Sequence, residues 1–228
     1  MLHLFDIDGT LVRSGGAGLR ALERAFADRF GLAGATDGVH PDGKTDPLIV
    51  GEMFAARLGR PPTAAETTAL LADYEVHLAA EVAAGSAFRA LPGVHDLLER
   101  LAARREPVGL CTGNTVGGAR LKLERLGLWR YFAFGGYGSD HAERSDVVRT
   151  AIARGAAHVG RAVLPAEVLV IGDTPRDIAA ARAAGARAAA VATGPHPRAA
   201  LATHAPDLLF DDLTQMIAWV DGPRLMAG

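Results

Sequence analysis

Asp6 and Asp8 stand two residues apart in the run Phe5-Asp6-Ile7-Asp8-Gly9-Thr10-Leu11. The apolar residues before them read as a strand, and in a strand residues i and i+2 point to the same side. Two carboxylates held together in this way repel unless a cation or a shared proton relieves them. Gly9 permits a tight turn that brings backbone N–H groups close to an anion. A second polar run, Cys111-Thr112-Gly113-Asn114-Thr115, supplies a hydroxyl and an amide where a helix begins. Free N–H groups at a helix start attract phosphate, although the same residue types also serve as plain helix caps. The third run is Ile171-Gly172-Asp173-Thr174-Pro175-Arg176-Asp177. A helix starting near Pro175 puts Asp173 and Asp177 at its mouth. There they suit a hard cation such as Mg²⁺, or simply complement the helix dipole.

These three runs each follow a short apolar stretch, at 2–5, 107–111 and 168–171, and weaker stretches occur at 188–191 and 207–210. Continuous apolar runs of four or five residues suit parallel strands covered on both faces. Helical periodicity lies between them: Val94, Leu97, Leu98 and Leu101; Ala119, Leu123 and Leu126; Val147, Val148, Ala151 and Ile152; and 178–184, ending at Gly185. Strands alternating with helices predict an α/β fold with a doubly wound parallel sheet, whose ligands gather at the carboxyl ends of the strands. From about Gly15 to about Phe88 the patterns are helical only, with one or two helices over 63–84. The division expected is a sheet core of residues 1–14 and 89–228 with a small all-helical insert at 15–88. Gly15-Gly16-Ala17-Gly18 lacks dinucleotide-motif spacing and reads as a hinge between the two.

The chain has 228 residues, a net charge of −2 and one cysteine, Cys111. That balance offers no electrostatic reason to expect nucleic acid or an anionic membrane as partner. A lone cysteine excludes an internal disulfide framework, and its apolar strand predicts a buried thiol. No apolar run approaches the ~18 residues of a spanning helix, and the first residues do not read as a signal peptide. A cytoplasmic protein is expected, monomer or homodimer being open. The eight histidines show no paired-ligand spacing, and a surface position is expected for His141. Only Lys44 and Lys122 are lysines, so arginine is the natural stand-in where a cation is needed.

Asp-Ile-Asp-Gly-Thr-Leu, then Cys-Thr-Gly-Asn, then Gly-Asp-Thr-Pro-Arg-Asp resembles the haloacid dehalogenase superfamily over nearly the whole chain. Motif order, spacing and the helical insert are similar to its phosphoglycolate-phosphatase-like branch, in which the insert caps the core. The resemblance implies a Mg²⁺-dependent phosphatase that hydrolyses a small phosphorylated substrate through an aspartyl-phosphate. Asp6 would be the nucleophile, and Asp8 the general acid and then the base. Thr112 would bond a phosphoryl oxygen. Asp173 would bind Mg²⁺ beside a carboxylate oxygen of Asp6 and the backbone carbonyl of Asp8, with Asp177 completing the shell. Gly9, Thr10, Gly113 and Asn114 would line the phosphate site; Lys44, Thr45 and Asp46, in the turn Asp42-Gly43-Lys44-Thr45-Asp46-Pro47, would face the substrate from the cap. Dehalogenating relatives lack the second aspartate, so Asp8 favours phosphate ester chemistry.

One motif departs from the pattern. Relatives carry Lys-Pro where this chain reads Gly138-Ser139-Asp140-His141-Ala142-Glu143-Arg144-Ser145-Asp146. Arg144 is the expected catalytic cation. Lys122 is the fallback, expected to point away into a surface ion pair because it falls about two turns beyond Thr112. A phosphomutase of the β-phosphoglucomutase kind would use the same residues, and a catalytically quiet binding or regulatory protein would keep the same fold.

Overall fold

The computed structural model describes residues 1–85 and 87–222. Ser86, expected in the insert, and residues 223–228, expected in the core, lie outside the described residues. The first strand, β1 (Leu2–Phe5), leads through a tight turn to a two-residue strand, β2 (Val12–Arg13). Three helices follow: α1 (Ala17–Phe30), α2 (Asp46–Leu58) and α3 (Ala64–Ala84). The short β3 (Arg89–Ala90) then pairs antiparallel with β2, so the chain enters and leaves the helical stretch through one ribbon. Two residues per strand is too short to leave a periodic signal, and the sequence predicts neither strand.

The α/β alternation resumes with α4 (Val94–Ala103), β4 (Val108–Thr112), α5 (Val116–Glu124), β5 (Phe134–Tyr137) and α6 (Arg144–Val159). It ends with β6 (Val168–Gly172), α7 (Pro175–Ala183), β7 (Arg187–Val191), α8 (Arg198–Ala202), β8 (Leu208–Phe210) and α9 (Leu213–Asp221). The six longer strands form one parallel sheet in the order β5-β4-β1-β6-β7-β8. This is the expected doubly wound α/β core, with one strand more than the apolar runs indicate. β5 reads Phe-Gly-Gly-Tyr, and paired glycines erase the strand signal. A Cβ at Gly136 would overlap the Val147 carbonyl of α6, so the helix sits too close for any larger residue.

Both faces of the sheet are covered. Leu2, Leu4, Cys111, Val148, Val170 and Ala190 pack into one apolar cluster, and Phe5, Leu110, Ile171 and Val191 into the other. The second cluster is continuous with the helical insert, where Phe26, Phe30 and Phe54 meet ring against ring at 4.7–5.5 Å. The 63–84 stretch is one helix. Thr63 and Glu66 cap it reciprocally: the Glu66 N–H donates to Thr63 Oγ1 at 3.2 Å and the Thr63 N–H to Glu66 Oε2 at 2.8 Å. No helix among the described residues is long and apolar enough to cross a membrane.

Candidate active site

The register of β1 decides where the polar runs meet. Phe5 lies opposite Leu110 of β4 on one side and Ile171 of β6 on the other. The residues that follow these three therefore emerge side by side at one sheet edge.

At the end of β1 the Asp6 N–H donates to the Ile171 carbonyl at 2.9 Å, and the N–H groups of Leu11 and Val12 donate to the Ile7 carbonyl, closing the turn. Gly9 takes φ +81°, and a Cβ there would overlap the Asp173 carboxylate. This position needs glycine both for conformation and for room. The Thr10 hydroxyl donates to Asp173 Oδ1 at 3.1 Å. Asp177 belongs to the first turn of α7 and caps it, Oδ2 accepting from the N–H of Thr174 at 3.0 Å and from its hydroxyl at 2.7 Å. Asp6, Asp173 and Asp177 are all buried, and each offers a carboxylate oxygen within 4.8 Å of the others'.

Arg144, the first residue of α6, reaches into this cluster. Its Nη2 lies 2.8 Å from Asp6 Oδ1 and 2.5 Å from Asp177 Oδ1. Burial pushes the Asp6 carboxyl up to about 6; Arg144 opposes the shift while Asp177 and Asp8 add to it. Burial likewise raises Asp173 well above the usual carboxylate range, with Asp177 and Asp6 adding repulsion. Three buried carboxylates facing one guanidinium leave an excess of negative charge.

Asp8 has different company. Its Oδ2 accepts from Lys122 Nζ at 2.6 Å and from Asn114 Nδ2 at 2.9 Å, and Lys122 also donates to Asn114 Oδ1 at 2.6 Å. Burial pushes the Asp8 carboxyl up, but the Lys122 ammonium and these hydrogen bonds outweigh it and hold the group below its ordinary value. Lys122 thus departs from the expected surface ion pair: it is 3% exposed and sits in the site. The helix starts at Val116, not at Thr112, so Lys122 is only in its second turn, and helical side chains lean back toward the N-terminus.

The remaining expected site residues divide into two groups. Gly9, Gly113, Asn114, Lys44 and Asp46 line a cavity of about 280 Å³ together with Asp6, Asp8, Arg144 and Asp173. Thr10, Thr45 and Thr112 are fully buried and serve neighbouring groups. Thr112 Oγ1, at the end of β4, accepts from Asn114 Nδ2 at 2.8 Å, and the Thr45 hydroxyl donates to the Ala142 carbonyl at 2.8 Å. Lys44 pairs with Glu52 of α2 at 2.6 Å. Asp46 is buried at the start of α2; its N–H donates to the Gly113 carbonyl at 2.8 Å, and its Oδ2 accepts from the Thr115 N–H at 2.9 Å. Burial raises its carboxyl to about 6, with Lys122 and Thr115 opposing and Asp8 and Glu75 adding.

Ser14, Tyr74 and Lys122 also line the cavity and were not expected there. Tyr74 lies inside an Ala-rich helical stretch whose placement against α5 is a tertiary fact without a local signal. His141 is exposed, its Nε2 2.9 Å from Thr150 Oγ1. Cys111 is buried, and burial pushes its thiol up to about 12, an inert state.

A family model described as haloacid dehalogenase-like hydrolase matches residues 2–185. The phosphoglycolate phosphatase of Rhodospirillum rubrum is 32% identical over 232 residues, covering 97% of this chain and 91% of that protein. That of Agrobacterium fabrum is 30% identical over 220 residues, covering 94% and 90%. Among solved structures, CbbY from Rhodobacter sphaeroides in complex with phosphate superposes with a TM-score of 0.72 at 19% identity, covering 94% of this chain and 95% of that one. A hydrolase from Pseudomonas syringae superposes equally well, with a TM-score of 0.72 at 20% identity over 97% and 99%. With its motif residues gathered at one sheet edge and its length matched throughout, the chain belongs to the haloacid dehalogenase-like hydrolases and is an enzyme.

Proposed function

We propose that this hydrolase is a phosphatase that cleaves the monoester of a small phosphorylated metabolite by transferring the phosphoryl group to Asp6. The observation that carries the reading is the convergence of Asp6, Asp173 and Asp177 around Arg144, beside a separately held Asp8. The donor set fits Mg²⁺. It consists of hard carboxylate oxygens in excess over the positive charge that Arg144 brings to them. Asp6, Asp173 and the backbone carbonyl of Asp8 would hold the ion, with Asp177 beside them. When bound, it supplies positive charge that offsets repulsion between Asp6 and a phosphate dianion and stabilises the transferring group.

The chain's own residues account for the rest. A carboxylate oxygen of Asp6 attacks phosphorus, and the bond from phosphorus to the ester oxygen breaks. Arg144, competing for Asp6 and Asp177 in the free site, grips phosphoryl oxygens with its planar fork. Asp8 protonates the departing alkoxide. Its carboxyl is held low in the free enzyme, and the arriving dianion adds negative charge beside it and moves it back toward protonation. Asp8 then takes a proton from the water that attacks phosphorus, which frees phosphate and restores Asp6. We assign 1–14 and 89–228 to the catalytic core and 15–88 to a cap that excludes water during transfer.

The names of the relatives make phosphoglycolate the reference compound for assay. Asp6→Asn tests the mechanism. Turnover of para-nitrophenyl phosphate with Mg²⁺ is expected to fall by at least ~10³-fold while the melting temperature is kept. Turnover that survives the change would overturn the reading.

A further inference from the structure

The cap side of the cavity carries a polar group that nothing in the phosphoryl chemistry uses. Tyr74, on α3, is 1% exposed and lines the cavity. Its ring is buried while the residue lines the cavity, so its hydroxyl is available to a bound molecule there. Burial, and then the nearby carboxylates of Asp46, Asp8 and Glu75, keep the phenol in its neutral form, so it has a proton to donate. Lys122 lines the same cavity. A Cβ built on Gly18 of α1, which also lines the cavity, would lie 3.7 Å from the Tyr74 hydroxyl and 3.8 Å from Lys122 Nζ. An ammonium has three donors, and Lys122 spends two on Asp8 and Asn114. Two unspent donors therefore converge on the open space that Gly18 leaves.

The charges around that space say what kind of acceptor fits. The cations lining the cavity, among the described residues, are Lys44, Lys122 and Arg144, and each is already paired with a carboxylate: Glu52, Asp8, and Asp6 with Asp177. Asp42 and Asp46 also line it. A leaving group with its own negative charge meets no unpaired cation there and has carboxylates for neighbours. Leu19, Leu22 and Ile49 supply apolar wall to the cavity, and the volume of about 280 Å³ limits what fits.

Resting on the phosphatase reading, we infer that Tyr74 is a specificity-determining residue. With the third donor of Lys122 it binds an uncharged oxygen, a hydroxyl or carbonyl, on a compact leaving alcohol. The preferred substrates are then phosphate monoesters of small neutral hydroxylated alcohols, not those whose alcohol carries a carboxylate.

Three esters of similar size separate the possibilities: hydroxyethyl phosphate, ethyl phosphate and phosphoglycolate, each assayed with Mg²⁺. The wild type is expected to favour hydroxyethyl phosphate over each of the others by at least ~10-fold in kcat/KM, because a site built to bond an oxygen rejects what lacks or mismatches it. Tyr74→Phe should lower the ratio of hydroxyethyl to ethyl phosphate turnover about tenfold, an effect that a structural role alone would not produce. Gly18→Ala is a second route, since alanine suits a helix and its methyl enters the space between the two donors. It should lower the same ratio. A preference for phosphoglycolate, or a ratio unmoved by both variants, overturns the inference. Turnover of para-nitrophenyl phosphate that depends on Asp6, with none of the three esters cleaved, also overturns it while leaving the phosphatase reading standing. Absence of all turnover defeats that reading itself.

Discussion

A guanidinium wedged between two buried carboxylates is comfortable only while all three charges are present. Arg144 is 8% exposed, and its loss strands Asp6 and Asp177 in a dry site. Arg144→Ala is expected to cost about 3 kcal/mol in metal-free buffer, read as a lower urea midpoint, with added Mg²⁺ recovering part of the loss. An unchanged midpoint would mean that the three charges are not coupled. Arg144 was legible in the sequence as the only arginine in the segment where relatives place lysine. Lys122 was not. Its role depends on where α5 begins, and a four-residue difference in helix start turns an apparently outward side chain into one that holds Asp8. The Thr45 hydroxyl donates to the Ala142 carbonyl and Thr112 Oγ1 accepts from Asn114, which leaves the Thr112 proton free for a phosphoryl oxygen.

At the scale of elements, α2 meets the end of β4 beside the cavity. Asp46 anchors it, and its buried carboxyl titrates at about 6 against an ordinary 3.8. The folded state therefore favours the protonated form. This contribution to stability is complete below pH ~4, declines as pH rises toward ~6, and amounts to about 3 kcal/mol over the window. Asp46→Asn keeps an oxygen for the Thr115 N–H and removes the charge. In saturating Mg²⁺, which holds the other buried carboxylates ionised, the variant should lose that slope and be the more stable protein at pH 7. Identical pH profiles for the two would contradict this. The same contact depends on Gly113, where a Cβ would overlap the Lys44 carbonyl. Gly113→Ala is expected to push the loop before α2 outward and raise KM at least ~5-fold, the obstacle being backbone that cannot rotate away. Longer elements were readable from periodicity, as Val94, Leu97, Leu98 and Leu101 of α4 illustrate. The ribbon of β2 and β3 and the Gly-Gly strand β5 were not, because brevity and glycine remove the pattern on which such reading depends.

Over the whole molecule, three chain segments far apart in sequence supply one site because β4 and β6 flank β1 in the sheet. That adjacency follows from the doubly wound topology, so the convergence of the acidic runs was legible before any coordinates; the approach of the insert's helices to the cavity was not. The excess negative charge of Asp6, Asp173 and Asp177 predicts that a divalent ion stabilises the entire fold. Mg²⁺ at a hundred times its Kd should add about 2.7 kcal/mol. Asp173→Asn should abolish that gain while raising the melting temperature of the metal-free protein. A wild type whose melting temperature ignores Mg²⁺ would speak against the site.

The central claim is that Asp6 carries the phosphoryl group between substrate and water. Acid quenching during turnover of a phosphorus-radiolabelled phosphate monoester, with one sample mapped directly and a second reduced with tritiated borohydride before mapping, tests it most directly. The account predicts a base-labile phosphorus label on the peptide containing Asp6 in the first sample, its displacement as phosphate with tritium left on that side chain in the second, and neither label in Asp6→Asn. Label on another residue, or turnover with no labelled protein at any quench time, would contradict it.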